Sequence, residues 1–288
     1  MTTSATGERI LWLLAASVLL MVILLFAFQV WFALPVFFNP QASVLTLQWL
    51  PEQGQYGILP MLAGSLIIGL LALFIAFPIA LGVCGFCLFP RYQAGARLIR
   101  RLVRLMTGIP TVVYGLAAIF LLVPLIRETF RSGSGFSLLA ATLMIVLLIL
   151  PVMIMTLDNH CRPLMTQYRM VAASMGFNHA QTLRYLVLPG ARRAMTSAAL
   201  LGFGRAIGDT LLPMMLAGNA PQLPANGLES IRTLTAHIGL VLATENGSAM
   251  YNSLFAAGLL LLTISVTVTL AVRRLSIPAG AAAKERQS

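Results

Sequence analysis

The chain has 288 residues, of which 59% are hydrophobic and only 9% are charged, and its mean hydropathy is +0.90. Soluble domains carry about 25% charged residues, so this composition excludes a soluble globular protein and indicates that lipid is the main solvent. The net charge of +11 is carried mostly by arginines between apolar runs, which argues against a nucleic-acid-binding surface.

Six apolar runs are long enough to span a hydrocarbon core, which requires roughly 20 helical residues. The first exceeds the roughly 7–15 apolar residues of a cleavable signal peptide. Asp158 and Asn159 are predicted to end the fourth. The sequence therefore predicts an all-α membrane protein with about six transmembrane helices. The predicted spans are 10–33, 58–89, 108–126, 137–157, 194–218 and 251–272.

The distribution of arginines predicts the orientation. Most of the 19 basic residues lie in the termini and in the loops at 90–107 and 158–193, whereas the other side holds only Arg127, Arg131 and Arg232. Because cytoplasmic loops carry an excess of Lys and Arg, both termini are predicted to be cytoplasmic. The loops at 34–57 and 219–250 are then external, and we expect them to carry short interfacial helices.

Neither the cysteines nor the histidines predict a metal site. Cys84 and Cys87 form a C-x-x-C inside an apolar run, without a second pair or a nearby histidine. They are interpreted as small apolar residues of a helix. His160, His179 and His237 are far apart in sequence, so no metal or other cofactor is expected.

The loop at 158–193 is longer than a bare connection between two helices. Small residues before Gly176 predict a short helix that stops at this glycine. Asn178 is a candidate N-cap for a second short helix at 179–187, and Pro189 is predicted to end that helix. A helix–Gly–helix unit on the cytoplasmic surface has a shape suited to docking another protein, although an ordinary amphipathic connector is an alternative.

This segment resembles the EAA loop of bacterial ABC importer permeases, whose pattern is E-A-A-x-x-x-G, then nine residues, then I-x-L-P. The glycine and the Leu-x-Leu-Pro run are at the required spacing, whereas Met170 and Val171 replace the usual Glu and first Ala. In that family the loop is a coupling helix that docks into the ATPase subunit. The resemblance implies a coupling loop that contains Met170, Ala172, Ala173, Gly176, Leu186, Leu188 and Pro189.

The fifth apolar run carries two charged residues. Arg205 and Asp209 are four residues apart, so they are predicted to share one helix face, and Gly202, Gly204 and Gly208 leave room beside them. An ionisable residue near mid-membrane costs at least about 2.5–3.5 kcal/mol, which favours a functional role. A guanidinium suits phosphate-like oxyanions. A structural ion pair that fixes helix packing remains an alternative.

The same run resembles the phosphate-specific ABC importers, in particular the C-type of their two homologous permeases. The pattern G-x-G-R-A-x-G-[ED]-T at 202–210 is followed by Gly-Asn at 218–219. Residues 109–116 and 123–125 resemble the family's P-S-x-V-Y-G-L … P-L stretch, and the resemblance covers roughly 58–272. It implies a substrate path that contains Arg205, Asp209, Thr210 and Tyr114.

The resemblance also implies the type I ABC importer permease fold and its assembly. The chain divides into a first helix with its external loop (1–57), a permease transmembrane domain with the EAA-like loop (58–272) and a cytoplasmic tail (273–288). The implied partners are a homologous sister permease, two ATP-binding cassette subunits, an extracytoplasmic solute-binding protein and the lipid bilayer of a bacterial cytoplasmic membrane. No nucleic acid is implied.

A transport subunit, not an enzyme, is the expected role. The chain has no G-x-x-x-x-G-K-[ST] P-loop, so ATP hydrolysis is expected on the separate subunits. The expected activity is import of inorganic phosphate by alternating access. Alternatives are a permease for phosphonate, sulfate or molybdate, an intramembrane enzyme, and a stand-alone channel.

Overall fold

The computed structural model describes residues 5–38, 46–131, 133–242 and 249–276, which are almost entirely helical. A short antiparallel hairpin pairs β1 (Trp49–Leu50) with β2 (Gln55–Tyr56). The helices are α1 (Ala5–Phe38), α2 (Leu59–Leu88), α3 (Gln93–Thr107), α4 (Thr111–Phe130), α5 (Leu138–Gln167), α6 (Arg169–Ser174), α7 (His179–Thr182), α8 (Leu188–Gly190), α9 (Arg192–Gly208), α10 (Leu211–Leu216), α11 (Leu234–Val241) and α12 (Ala249–Ser276).

Five of the helices in the described ranges are long and apolar enough to cross a membrane, namely α1, α2, α4, α5 and α12. They coincide with five of the predicted spans and confirm an all-α membrane fold. The loop at 90–107 contains α3, whose arginines recur at helical spacing. The tail predicted at 273–288 continues α12 as far as Ser276, and the rest of it lies outside the described residues.

The span predicted at 194–218 is not one continuous helix. It is divided between α9 and α10, because Asp209 has an extended backbone (φ −75°, ψ 129°). The Asp209 carboxylate accepts a hydrogen bond from the backbone amide of Leu212 at 2.9 Å. This bond satisfies a free amide in the first turn of α10, so a new helix begins where the old one ends.

The fourth span also differs from the prediction, because Asp158 and Asn159 do not end it. α5 continues for about two further turns to Gln167. Arg100 of α3 donates two hydrogen bonds to the Asp158 carboxylate, at 2.8 and 3.1 Å. The bond to Asp158 raises the pKa of Arg100. With its charge paired, Asp158 is accommodated inside a helix instead of terminating it.

The core lies where α2, α5 and α9 pack together. Alanines on α2 are fully buried and allow close helix approach. The three cysteines, Cys84, Cys87 and Cys161, are buried there too, and the thiols of Cys84 and Cys161 lie within hydrogen-bonding range. α1 is peripheral and packs against α12, where Phe32 stacks on Phe255 at 4.9 Å between ring centroids.

Candidate functional site

The residues predicted to line a substrate path lie around the break between α9 and α10. Arg205 is in the last turn of α9, and Asp209 and Thr210 form the break. Tyr114 lies on α4, which packs against α10, and its hydroxyl donates to the carbonyl of Met106 at 3.0 Å. Arg205 is close enough to interact electrostatically with both Tyr114 and Asp209. The fold thus brings the four residues together.

The predicted pairing of Arg205 with Asp209 on one helix face is wrong in this structure. α9 ends at Gly208, so Asp209 leaves the helix before it completes the turn that the spacing assumed. Its carboxylate caps α10 instead. Within the described ranges, Arg205 makes no ion pair or side-chain hydrogen bond, and its side chain is exposed. The guanidinium therefore keeps its donors available.

The segment that follows α10 folds back onto the break. The Thr235 hydroxyl donates to the backbone carbonyl of Asp209 at 2.9 Å. The amide of Leu234 donates to the Ser65 hydroxyl of α2 at 2.8 Å, and Thr233 caps α11. Sequence reasoning missed these residues, although the closely spaced hydroxyls at 233 and 235 before an apolar helix were an available signal. They fix the break against α2 and α11.

The Gly218-Asn219 pair forms the turn that starts this return. Both residues have positive φ, +77° and +61°. A Cβ on Gly218 would collide with the Ser230 side chain, so only glycine fits. The Asn219 side-chain amide donates to the backbone carbonyl of Met214 at 2.7 Å. The backbone carbonyl of Asn219 accepts a hydrogen bond from the Arg232 guanidinium at 2.8 Å. Burial lowers the pKa of Arg232.

His237 on α11 is fully buried, and neither ring nitrogen has a hydrogen-bond partner among the described residues. Its ring lies edge-on to that of Trp49, with 4.4 Å between centroids. Burial, together with the charge of Arg232, lowers the pKa of His237 to about 3. The imidazole is therefore neutral at physiological pH and serves as part of an apolar contact.

We expect Asp209→Asn and Asp209→Ala to differ in stability. The asparagine amide oxygen can still accept the hydrogen bond from Leu212, whereas alanine leaves that amide unpaired and should lower the free energy of unfolding by about 0.5–2 kcal/mol. Thermal unfolding of the purified variants in one detergent measures the difference. Equal destabilisation by both substitutions would contradict the capping role.

The helix–Gly–helix unit formed by α6, Gly176 and α7 has the local structure predicted for its turn. Gly176 has φ +69°. Its amide donates to the carbonyl of Ala173, and the amide of Phe177 donates to that of Ala172, which together form a Schellman motif at the end of α6. Asn178 and Gln181 bond each other's backbone amides at 2.9 Å in a capping box, which begins α7 as predicted.

The second short helix differs from the prediction for 179–187. α7 ends at Thr182 and is followed by one π-helical turn at Leu183–Val187. Pro189 does not end the helix, because it lies inside α8, in the first turn, where no amide hydrogen is needed. Leu186 and Leu188 are half-buried on either side of Val187, which is fully buried.

The outer face of α6 is apolar and exposed. The exposed fraction is 84% for Met170, 49% for Val171 and 56% for Met175. Ala172 is buried against the body of the protein, and Ala173 is exposed. A cleft of about 630 Å³ separates this helix from the end of α2. Exposed apolar side chains that lie close together are typical of protein–protein or membrane contacts.

Comparison with known proteins adds three findings. The family described as "Binding-protein-dependent transport system inner membrane component" matches residues 91–278. The probable ABC transporter permease protein YqgH of Bacillus subtilis is 32% identical over 241 residues, which cover 83% of this chain and 78% of the relative. The phosphate transport system permease protein PstC of Haemophilus influenzae is 30% identical over 255 residues, which cover 81% and 80%.

A solved structure of the MetNI methionine ABC transporter in an inward-facing conformation shares the fold. It aligns with a TM-score of 0.58 over 76% of this chain and 96% of that chain, at 18% sequence identity. At this identity the likeness concerns the fold alone, and it confirms the type I ABC importer permease architecture.

Proposed function

The chain belongs to the family of binding-protein-dependent transport system inner membrane components and is the permease subunit of an ABC importer, and we propose that its substrate is inorganic phosphate. The observation that carries this proposal is the position of Arg205, whose guanidinium is exposed and unpaired in the described structure beside the broken helix. Relatives named as phosphate permeases support it.

The chemistry around Arg205 favours phosphate over other oxyanions. A guanidinium can donate two parallel hydrogen bonds to one oxyanion. At neutral pH phosphate retains a proton, and the nearby Asp209 carboxylate can accept a hydrogen bond from it. Sulfate is fully ionised and would meet repulsion from the same carboxylate. Thr210 adds a hydroxyl group at the break, and Tyr114 lies nearby on α4 with its hydroxyl bonded to the carbonyl of Met106.

Competition for uptake tests the substrate. Cells that depend on this importer should take up radiolabelled phosphate, and a tenfold excess of unlabelled phosphate should suppress that uptake by about 90% by simple isotope dilution. The same excess of sulfate, molybdate or phosphonate should have little effect. Preferential suppression by one of these three would assign the importer to that anion.

The position of α9 suggests how ATPase movement reaches the anion. The exposed face of α6 is the proposed ATPase contact, and the chain passes from it through the π turn and α8 directly into α9. Arg205 lies 13 residues beyond Arg192, or roughly 20 Å along a helix that rises 1.5 Å per residue. ATP binding would draw the coupling helices of the two permeases together and open the path outward, and hydrolysis would reset it.

The proposed assembly contains this chain, a homologous sister permease, two ATP-binding cassette subunits and an extracytoplasmic binding protein. A stand-alone channel or an intramembrane enzyme has no need of the apolar face on α6. Affinity purification of this chain from its own membrane should therefore recover an ATPase and a second permease. Recovery of this chain alone, in active form, would favour those alternatives.

Cytoplasmic placement of α6 and external placement of the hairpin are further parts of the proposal. Gln53 and Ala180 are both exposed, and the natural cysteines are buried. Single cysteines placed at these two positions should react with a membrane-impermeant maleimide from opposite sides of oriented vesicles. Labelling of both from the same side would contradict this topology.

A further inference from the structure

α3 is an amphipathic helix with three distinct faces. Ala96 and Val103 are buried against the rest of the protein. The face occupied by Leu98, Leu102 and Leu105 is exposed, with exposed fractions of 58%, 50% and 67%. At 100° per residue, the arginines at 97, 101 and 104 form a third face, which lies about a quarter turn or more around the helix from Leu102. Such a helix matches an interface that is apolar on one side and charged on the other.

The fold holds α3 next to the ends of membrane-spanning helices. It is joined to two membrane-spanning helices by short connections, since α2 ends at Leu88 and α4 begins at Thr111. Arg100 fastens its inner side by donating to Asp158 of α5 and, at 2.8 Å, to the carbonyl of Cys87. The helix is therefore fixed beside the ends of α2 and α5, with its exposed leucines facing away from the protein.

Apart from Arg100, the arginines of this segment have no acidic partner within the described ranges. Residues 89–110 contain five arginines and no acidic residue. Asp158 is used by Arg100, and across the described ranges it is the one carboxylate that forms an ion pair. Arg97 and Arg101 are exposed and make no ion pair there. Exposed arginines next to an exposed apolar face match a lipid, whose phosphate group attracts positive charge and whose acyl chains contact apolar side chains.

We propose that the exposed faces of α3 form a binding surface for anionic phospholipid of the cytoplasmic leaflet, with acyl chains against Leu98, Leu102 and Leu105 and the headgroup phosphate against Arg97 and Arg101. The residues of this surface are different from those at the break around Asp209 and from the exposed apolar residues of α6. It does not depend on which anion the importer carries. Because Arg100 of α3 is paired with Asp158 of α5, a lipid bound to α3 would also affect the position of α5.

Lipid binding to the purified chain in a neutral detergent tests the proposal. Native mass spectrometry should show phosphatidylglycerol bound about tenfold or more tightly than phosphatidylcholine with the same acyl chains. The double variant Arg97→Gln/Arg101→Gln should reduce that preference about tenfold. The matched control Arg169→Gln/Arg184→Gln removes the same charge from the α6–α7 region and should change it less than about twofold.

Two further measurements test the proposal even if the glutamine variant is unstable. Arg97→Lys/Arg101→Lys keeps the charge and should leave the affinity for phosphatidylglycerol within about threefold of that of the unmodified protein. Attraction to the headgroup depends on positive charge more than on the planar geometry of a guanidinium. Inorganic phosphate at the same concentration should not displace the lipid. The proposal is overturned by equal binding of the two lipids, by a loss shared with the control, or by displacement with inorganic phosphate. It is also overturned if a cysteine at Leu102 cross-links to another protein subunit of the assembled importer.

Discussion

Arg205→Gln is expected to abolish phosphate uptake while the amount of assembled importer stays close to that of the unmodified protein. Hydrogen bonds to charged groups contribute about 1.5–3 kcal/mol each, so loss of a two-bond contact with the anion predicts at least about a hundredfold reduction in uptake. Assembly should persist because Arg205 is exposed and makes no ion pair with the described residues of its own chain. Uptake of radiolabelled phosphate and recovery of the copurified subunits measure the two effects.

Arg205→Lys is the informative companion variant. Lysine keeps the positive charge but loses the planar fork, so it should restore only a small part of the uptake. A mainly structural charge would be replaced well by lysine. Full uptake by Arg205→Lys would therefore contradict a direct bidentate contact with the anion.

The double variant Arg205→Gln/Asp209→Asn separates the transport role from an ion-pair role. If the two residues formed a structural pair in the working importer, neutralising both would restore transport. In this structure Asp209 caps α10, and asparagine can do the same, so the double variant should be stable and inactive. Normal transport by the double variant would end the assignment of Arg205 to the substrate path.

Gly176→Val is expected to uncouple ATP hydrolysis from transport. At φ +69° a β-branched residue is strongly disfavoured, although a Cβ would meet no other atom within 4 Å. Strain of about 1–2 kcal/mol should open the Schellman motif and displace the end of α6 with Met175, lowering phosphate uptake about tenfold. Uptake and binding-protein-stimulated ATP hydrolysis in proteoliposomes should then no longer rise together.

The matched control is Gly176→Asn, because asparagine adopts the left-handed conformation far more readily than valine. It should retain uptake within about threefold. If the valine variant transports phosphate as well as the asparagine variant, the geometry at the end of α6 is not part of the coupling mechanism.

The local motifs of α6 and α7 were predictable because their bonds connect residues close in sequence. The stop at Gly176 and the capping box at Asn178 each involve amides within five positions, so residue type and spacing indicate them. The membrane spans were predictable for a similar reason, since length and apolar content decide whether a helix can cross lipid. The π turn before Pro189 left no comparable signal.

Features that depend on distant residues were not predictable. Asp158 looked like the end of a helix because its partner, Arg100, lies 58 positions away. The break at Asp209 had a local signal, because Gly208, Asp209 and Pro213 are residue types that favour the ends and starts of helices. The length of the run favoured one continuous span over that signal. The hydroxyls of Ser65 and Thr235 meet α11 and the break only after the segment that follows α10 folds back. The sequence pattern drew attention to Arg205 and Asp209, but it did not indicate that the Asp209 carboxylate caps α10.

The most direct test of the central claim is accumulation of radiolabelled phosphate in proteoliposomes that contain the complete importer and its loaded binding protein. Phosphate should accumulate when ATP is available to the ATPase subunits and should not accumulate with ADP. Assemblies that carry Arg205→Gln should hydrolyse ATP without accumulating phosphate. Equal phosphate movement with ATP and ADP would contradict an ATP-driven permease, and undiminished accumulation by the Arg205→Gln assembly would contradict its proposed path.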